Sequence, residues 1–176
     1  MLSIRSIVGT DTQWTPDSDH RREYTLVSNG QKVATLRFPA RGLRATAESA
    51  DGCWTLERTG TWEPQVALHS CGGETPVGTF ICTARNTHGT LRLDGGRRFL
   101  FSTNIWKTRM AFSDRSNTKL VTFKLTGWVN IGARVEVTPA GAEVPELPLL
   151  TLLGWYQVTM VHLLKHLIAA FADPVD

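Results

Sequence analysis

Glu146-Leu-Pro-Leu-Leu-Thr-Leu-Leu-Gly-Trp-Tyr-Gln-Val-Thr-Met-Val-His-Leu-Leu-Lys-His-Leu-Ile-Ala-Ala-Phe171 is the one long helical pattern in this chain. Everything before it reads as short strands. A single apolar helix that follows an all-β chain has three places to go: a membrane, a partner, or the inside of its own sheet. At about 100° per residue, one arc of the helix gathers Thr151, Thr159, His162, Lys165 and His166, with Gln157 near the opposite side. Leu149, Leu150, Leu152, Leu153, Tyr156, Met160, Leu163, Leu164, Leu167 and Phe171 fill most of the rest. The first half is therefore apolar nearly all round, and a polar stripe opens only towards the end.

A membrane span needs about 20 predominantly apolar residues. The clean run before His162 is shorter than that, and Gln157 and Thr159 already break it. Leu and Val contribute about −0.3 to −0.6 kcal/mol each to insertion, whereas Lys165 held at depth costs about 2.5–3.5 kcal/mol, so the sum sits near zero. A helix apolar around most of its circumference is a buried helix. The preceding residues supply the container.

Turn signals arrive at the spacing of a β-meander. Asn29-Gly30, a strong hairpin signal, separates 24–28 from 32–38. Asp51-Gly52 separates 44–50 from 53–59, and Gly72-Gly73 separates 66–70 from 77–84. Asp94-Gly95-Gly96 splits 90–93 from 97–102, Asp114–Asn117 splits 107–112 from 119–125, and a last strand runs near 133–138. Phe99 and Phe101 alternate with Arg98 and Leu100, Met110 and Phe112 flank Ala111, and Trp54 and Leu56 alternate with Thr55 and Glu57. Period-two patterning means a sheet with one dry and one wet face. The pattern counts about ten to twelve strands, and so many antiparallel strands close, because closure removes exposed edges. Eight strands already fill their own interior with side chains, so a barrel of about twelve needs a filling. Strand count and lone helix explain each other.

The expected fold is all-β with one helix: a closed antiparallel barrel of about twelve strands around a central hydrophobic C-terminal helix. Residues 1–176 form a single domain, with strands over about 1–138, a Pro- and Glu-containing linker at 139–147 and the central helix at about 148–171. Met1–Thr10, with Leu2, Ile4 and Val8 alternating, is expected to be the first strand and lacks the long apolar core of a secretory signal. Thr10–Arg22 reads as a polar surface loop. The helix residues expected to line the core are Leu149, Leu152, Leu153, Tyr156, Met160, Leu163, Leu164 and Leu167.

At 176 residues the chain suits one domain. A hydrophobic content of 41% and a charged content of 20% are ordinary for a globular protein. Net charge is +3, too weak to imply nucleic acid, and no nucleic-acid partner is expected. The three cysteines, Cys53, Cys71 and Cys82, are an odd number without a CxxC spacing. They are expected to be free thiols packed as small hydrophobes in a reducing cytoplasm.

The order of elements resembles the tubby C-terminal-like superfamily, and within it the phospholipid-scramblase-like and LURP-one-related proteins, including small bacterial members. The resemblance rests on Asp51-Gly-Cys-Trp-Thr-Leu-Glu-Arg58, Gly89-Thr-Leu-Arg-Leu-Asp-Gly-Gly-Arg-Arg-Phe99, Trp106 to Asp114, and Leu147-Pro-Leu-Leu-Thr-Leu-Leu-Gly-Trp-Tyr156, and covers about residues 20–171. It implies a twelve-stranded barrel around a central helix and association with membrane lipid. Tubby domains bind phosphoinositides through basic residues, and scramblases act on phospholipids. No local motif carries those basic residues over to positions here. The calcium-binding acidic segments and palmitoylated cysteine clusters of scramblases are absent from this sequence, which sets scramblase activity in doubt.

Arg97, Arg98, Lys107 and Arg109 lie on adjacent expected strands and form the candidate lipid-binding set for anionic headgroups. His162 and His166 have the i, i+4 spacing of a metal pair, but no third ligand accompanies them, and no metal or cofactor is expected. Of six tryptophans, Trp54 and Trp155 sit in apolar patterns and Trp62, beside Pro64, is the one expected to be exposed. Asp114, Ser113 and His88 or His69 could be assembled into a hydrolase triad, but no nucleophile elbow surrounds any serine. The expected function is a non-enzymatic, cytoplasmic module, peripheral at the membrane, that binds anionic phospholipid or a protein partner. The alternatives are a small-ligand carrier or hydrolase using the barrel mouth, and a tail-anchored membrane protein.

Overall fold

In a computed structural model of the chain, residues 1–18, 22–60, 64–83, 87–127 and 130–172 are described, the side chains of the last helix as far as 163. Twelve antiparallel strands close into one barrel. They are β1 (Thr12–Pro16), β2 (Glu23–Ser28), β3 (Gln31–Arg37), β4 (Ala45–Ser49), β5 (Gly52–Thr59) and β6 (Gln65–Ser70). Then follow β7 (Pro76–Cys82), β8 (His88–Leu93), β9 (Arg98–Thr103), β10 (Arg109–Ser113), β11 (Lys119–Leu125) and β12 (Ala133–Val137). Each strand pairs with its chain neighbours, and β1 pairs with β12 through Thr12↔Val135 and Trp14↔Ala133 to complete the ring. Bulges at Leu26/Val27, Leu68/His69 and Phe112/Ser113 bend the strands, the usual device for curving a sheet towards closure.

The long helix α2 (Leu147–Ala172) runs through the interior, as its composition requires. Leu149, Leu152, Leu153, Tyr156 and Met160 are buried, and Leu163 is partly buried against the same core. Leu164 and Leu167 lie outside the described side chains. Two buried hydroxyls on the helix bond backward to its own carbonyls, Thr151 Oγ1 to Leu147 O at 2.9 Å and Thr159 Oγ1 to Tyr156 O at 2.8 Å. These bonds let polar residues sit in an apolar shell without orphaned groups. Gly154 is there for contact: a Cβ at that position would lie 2.3 Å from ring atoms of Phe123 on β11. Among the described residues no helix is long and apolar enough to cross a membrane. The interior is filled by α2, so it is not the empty vessel that a ligand carrier would need.

Three expectations are corrected. Met1–Thr10 is not a strand. Ile4–Ile7 form a 3₁₀ turn whose Ile4 and Ile7 are buried at the mouth against α2. Asp51 holds it there, accepting from the Ser3 hydroxyl at 2.6 Å and from Ile4 N at 2.7 Å. The first strand is Thr12–Pro16, inside the stretch read as a loop; Thr12 and Trp14 point inward and are fully buried. The linker also contains a short helix α1 (Pro139–Ala142), capped by Thr138, whose side chain accepts from Gly141 N.

A fourth expectation, that all three cysteines are free thiols, is also corrected: Cys53 and Cys71 form a disulfide, with Cα atoms 5.4 Å apart. The β5–β6 register that sets Trp54 opposite Ser70 puts the two cysteines opposite each other, and Cys71 N donates to Cys53 O at 3.0 Å. Cys82 is the remaining free thiol and is buried.

Candidate membrane-facing rim

The barrel has two distinct ends. At the linker end, β12 stops, α2 enters, and the turns β8–β9 and β10–β11 lie. At the opposite, tip end lie the β3–β4 loop, the β9–β10 turn and the emerging part of α2.

The β9–β10 turn is tied down by one side chain. Asn104 Oδ1 accepts from Thr108 N at 2.8 Å and from Arg109 N at 3.0 Å, while its Nδ2 donates to Thr108 Oγ1 at 2.8 Å. Asn104 N donates to Arg109 O, and Lys107 N to Asn104 O. Lys107 adopts a left-handed φ of 54° to complete the turn. With its backbone satisfied from within, the turn holds Ile105 and Trp106 out in solvent, 89% and 78% exposed. Two adjacent large apolar side chains are thereby raised from the barrel on a fixed scaffold.

Several basic groups lie at this end of the barrel. Lys107 and Arg109 belong to the turn itself. Arg22 donates to Ala40 O at 3.0 Å and to Gly42 O at 2.8 Å, and its guanidinium lies 5.7 Å from the Phe38 ring centre. It thereby fixes the β3–β4 loop, which carries the exposed Arg41 and Arg44. Among the described residues Arg41, Arg44 and Arg109 have no acidic partner. Arg58, near the end of β5, lines a small cleft with Gln157, Met160 and Cys82. Burial pushes the Cys82 thiol up; the positive charges of Lys107 and Arg58 oppose that shift. Burial also raises the Tyr156 hydroxyl, which donates to Leu43 O at 2.8 Å and so ties α2 to the same rim.

The four basic residues singled out from the sequence do not meet. Lys107 and Arg109 lie at the tip end, whereas Arg97 and Arg98 lie at the linker end, separated by the length of β9 (Arg98–Thr103), about 20 Å for six strand residues. Arg97 is paired with Glu146 at 2.6 Å. Sequence reasoning missed Ile105, Trp106, Arg41 and Arg44. Trp62, expected to be exposed, lies outside the described residues; Trp155 is buried and Trp54 half-buried. Polar residues on either side of Ile105-Trp106, with Asn104 before it, were the available signal.

The other sequence candidates are dispersed. Ser113 and His88 line a groove of about 880 Å³ on the outer face of β7–β10. His88 Nδ1 lies 3.2 Å from Thr87 Oγ1, and Asp114 Oδ1 accepts from Thr118 N. No hydrogen bond among the described residues joins Ser113, His88 and Asp114. His162 is partly buried, the side chain of His166 lies outside the described ones, and no His/Cys/Asp/Glu cluster among the described residues could hold a metal. Comparison with family models, with curated proteins and with solved structures finds no match to the chain.

Proposed function

We propose that this chain is a non-enzymatic module that docks peripherally on anionic membrane lipid through its tip end. The observation that carries this reading is the rigid turn presenting Ile105 and Trp106 to solvent with Lys107 and Arg109 beside them. Tryptophan favours the headgroup level of a bilayer. Burying a side chain such as Ile105 contributes about 1.5–3 kcal/mol. Each Lys or Arg near an anionic leaflet adds about 1 kcal/mol. Ile105 and Trp106 with Lys107, Arg109, Arg41 and Arg44 thus reach the range of reversible, salt-sensitive docking.

The resemblance to tubby-like and scramblase-like proteins belongs to the same proposal, since it implied lipid association. Cytoplasmic placement rested on three free thiols, and the Cys53–Cys71 bond removes that support, because disulfides persist in oxidising surroundings.

Vesicle flotation tests the reading. The chain is expected to float with phosphatidylserine-containing vesicles at low salt and to release at high salt, and to ignore purely zwitterionic vesicles. Trp106→Ala and Lys107→Gln/Arg109→Gln are each expected to weaken binding about tenfold. Flotation that is absent, or that neither variant changes, would overturn it.

A further inference from the structure

The other end of the barrel holds a second basic feature with different geometry. A cleft of about 410 Å³ opens between the β8–β9 turn and the β10–β11 turn. Arg97, Arg98, Arg115, Ser116 and Asp114 line it. Both turns are closed by their own bonds. Gly96 N donates to Leu93 O at 3.0 Å and Leu93 N to Arg97 O at 3.0 Å. Across the cleft, Asn117 N donates to Asp114 O at 3.1 Å, and Thr118 N donates to Asp114 Oδ1 at 2.9 Å. The walls are therefore fixed before any ligand arrives.

Charge in the cleft is unbalanced. Glu146 balances Arg97, whose guanidinium also lies 5.4 Å from the Phe99 ring centre. Arg98 and Arg115 are exposed and, among the described residues, have no ion-pair partner. One carboxylate, Asp114, stands in the cleft with them and accepts from Thr118 N, so two guanidinium charges face one carboxylate charge and a net positive charge remains. Arg98 is moreover directly opposite Arg92 across the β8–β9 pair, and both are exposed. Like charges placed directly opposite on neighbouring strands are destabilising. The exposed Asp94 at the start of the turn lines a separate groove with Arg92 and does not enter this cleft.

We propose that this cleft is a binding site for a phosphate group, held by Arg98 and Arg115 with Ser116 as an added donor. The planar guanidinium matches the phosphate oxygens in a two-point contact, which makes arginine the side chain suited to this class of ligand. The cleft lies at the linker end, about 20 Å from the Ile105–Trp106 tip by the length of β9. When the tip is docked on a membrane, the cleft faces solution. Its ligand is accordingly a soluble phosphomonoester and not a headgroup of the same bilayer. That last step rests on the docking reading; the site itself does not.

The test is calorimetric titration of the full chain with inorganic phosphate and with a soluble phosphomonoester, at ionic strength held constant with chloride. Saturable binding is expected, weakened about tenfold by Arg98→Gln and by Arg115→Gln. Both side chains are exposed, so the substitutions leave the core alone. Lys107→Gln, at the opposite end, is expected to leave phosphate binding unchanged. In a second arm, Arg98→Gln is expected to leave flotation on phosphatidic-acid vesicles unchanged while Trp106→Ala reduces it. Absence of saturable phosphate binding, or binding indifferent to Arg98 and Arg115, overturns the site. Phosphate binding seen only on vesicles and lost in Arg98→Gln overturns the soluble ligand and places a lipid headgroup there instead.

Discussion

Trp155 of α2 lies flat against Trp14 of β1, with ring centres 5.4 Å apart and planes within 3°. This stack joins the central helix to the strand that closes the barrel. Tyr24 of β2 meets Trp155 edge-on at 5.4 Å, and Phe38, just after β3, stacks on Tyr156 at 5.7 Å, so aromatic rings tie the first three strands to the helix. Trp155→Ala is expected to cost about 3–5 kcal/mol in urea unfolding, as is Trp14→Ala. The double variant is expected to cost less than the sum, by about 0.5–1.5 kcal/mol of stacking. Because neither indole N–H has a partner among the described residues, Trp155→Phe loses no hydrogen bond and is expected to be much milder than Trp155→Ala.

Gly154 leaves the Phe123 ring room against the helix backbone, since an added Cβ would approach ring carbons to 2.3 Å. Gly154→Ala is expected to destabilise by about 1–3 kcal/mol through overpacking, although alanine is the better helix former. Shrinking the neighbour in the pair Gly154→Ala/Phe123→Leu is expected to recover part of that loss. Simple additivity of the two changes would argue against the contact as the cause.

The Cys53–Cys71 bond closes a segment with a sequence separation of 18. In the chain-entropy description such a loop contributes about 3 kcal/mol. Unfolding free energies measured with and without reductant are expected to differ by that amount in the wild-type chain and to coincide in Cys53→Ala/Cys71→Ala. Cys82→Ala is expected to keep the full reductant effect.

Burial raises the hydroxyl pKa of both Tyr156 and Tyr24. Below about pH 10 both tyrosines are protonated in the folded and unfolded chain and contribute no slope. Above it the unfolded chain releases protons that the folded chain keeps, so stability falls as pH rises. Alkaline unfolding followed by tyrosine absorbance at 295 nm is expected to show coincident ionisation and loss of structure. Tyr156→Phe removes one of the two groups and is expected to flatten the alkaline slope, while lowering stability near neutrality by orphaning the Leu43 carbonyl.

The hairpins marked by Asn29-Gly30, Asp51-Gly52 and Asp94-Gly95-Gly96 were legible because their turn chemistry and the flanking alternation are local. So was the helix, because an apolar circumference allows few destinations. Thr12–Pro16 was not legible as a strand. Thr12, Gln13 and Thr15 are polar, and only pairing with both β2 and β12 makes the segment a strand. The placement of Arg97 and Arg98 away from Lys107 and Arg109 follows from strand direction: β9 starts at one end of the barrel and turns into β10 at the other. Residues adjacent in sequence patterning were thus separated by the full height of the wall.

Period, turn residues and apolar surface are properties of short stretches, so the residues alone already call for a meander of about a dozen strands that closes around an apolar helix. The folded chain adds what no segment carries: Trp14 completes the ring against Trp155, Cys53 faces Cys71, and Ile105 and Trp106 stand in solvent at one end while Arg98 and Arg115 line one cleft at the other. Those relations depend on register and on which end of the barrel each turn occupies. Register is set by the packing of all twelve strands around one helix, and no single segment contains it.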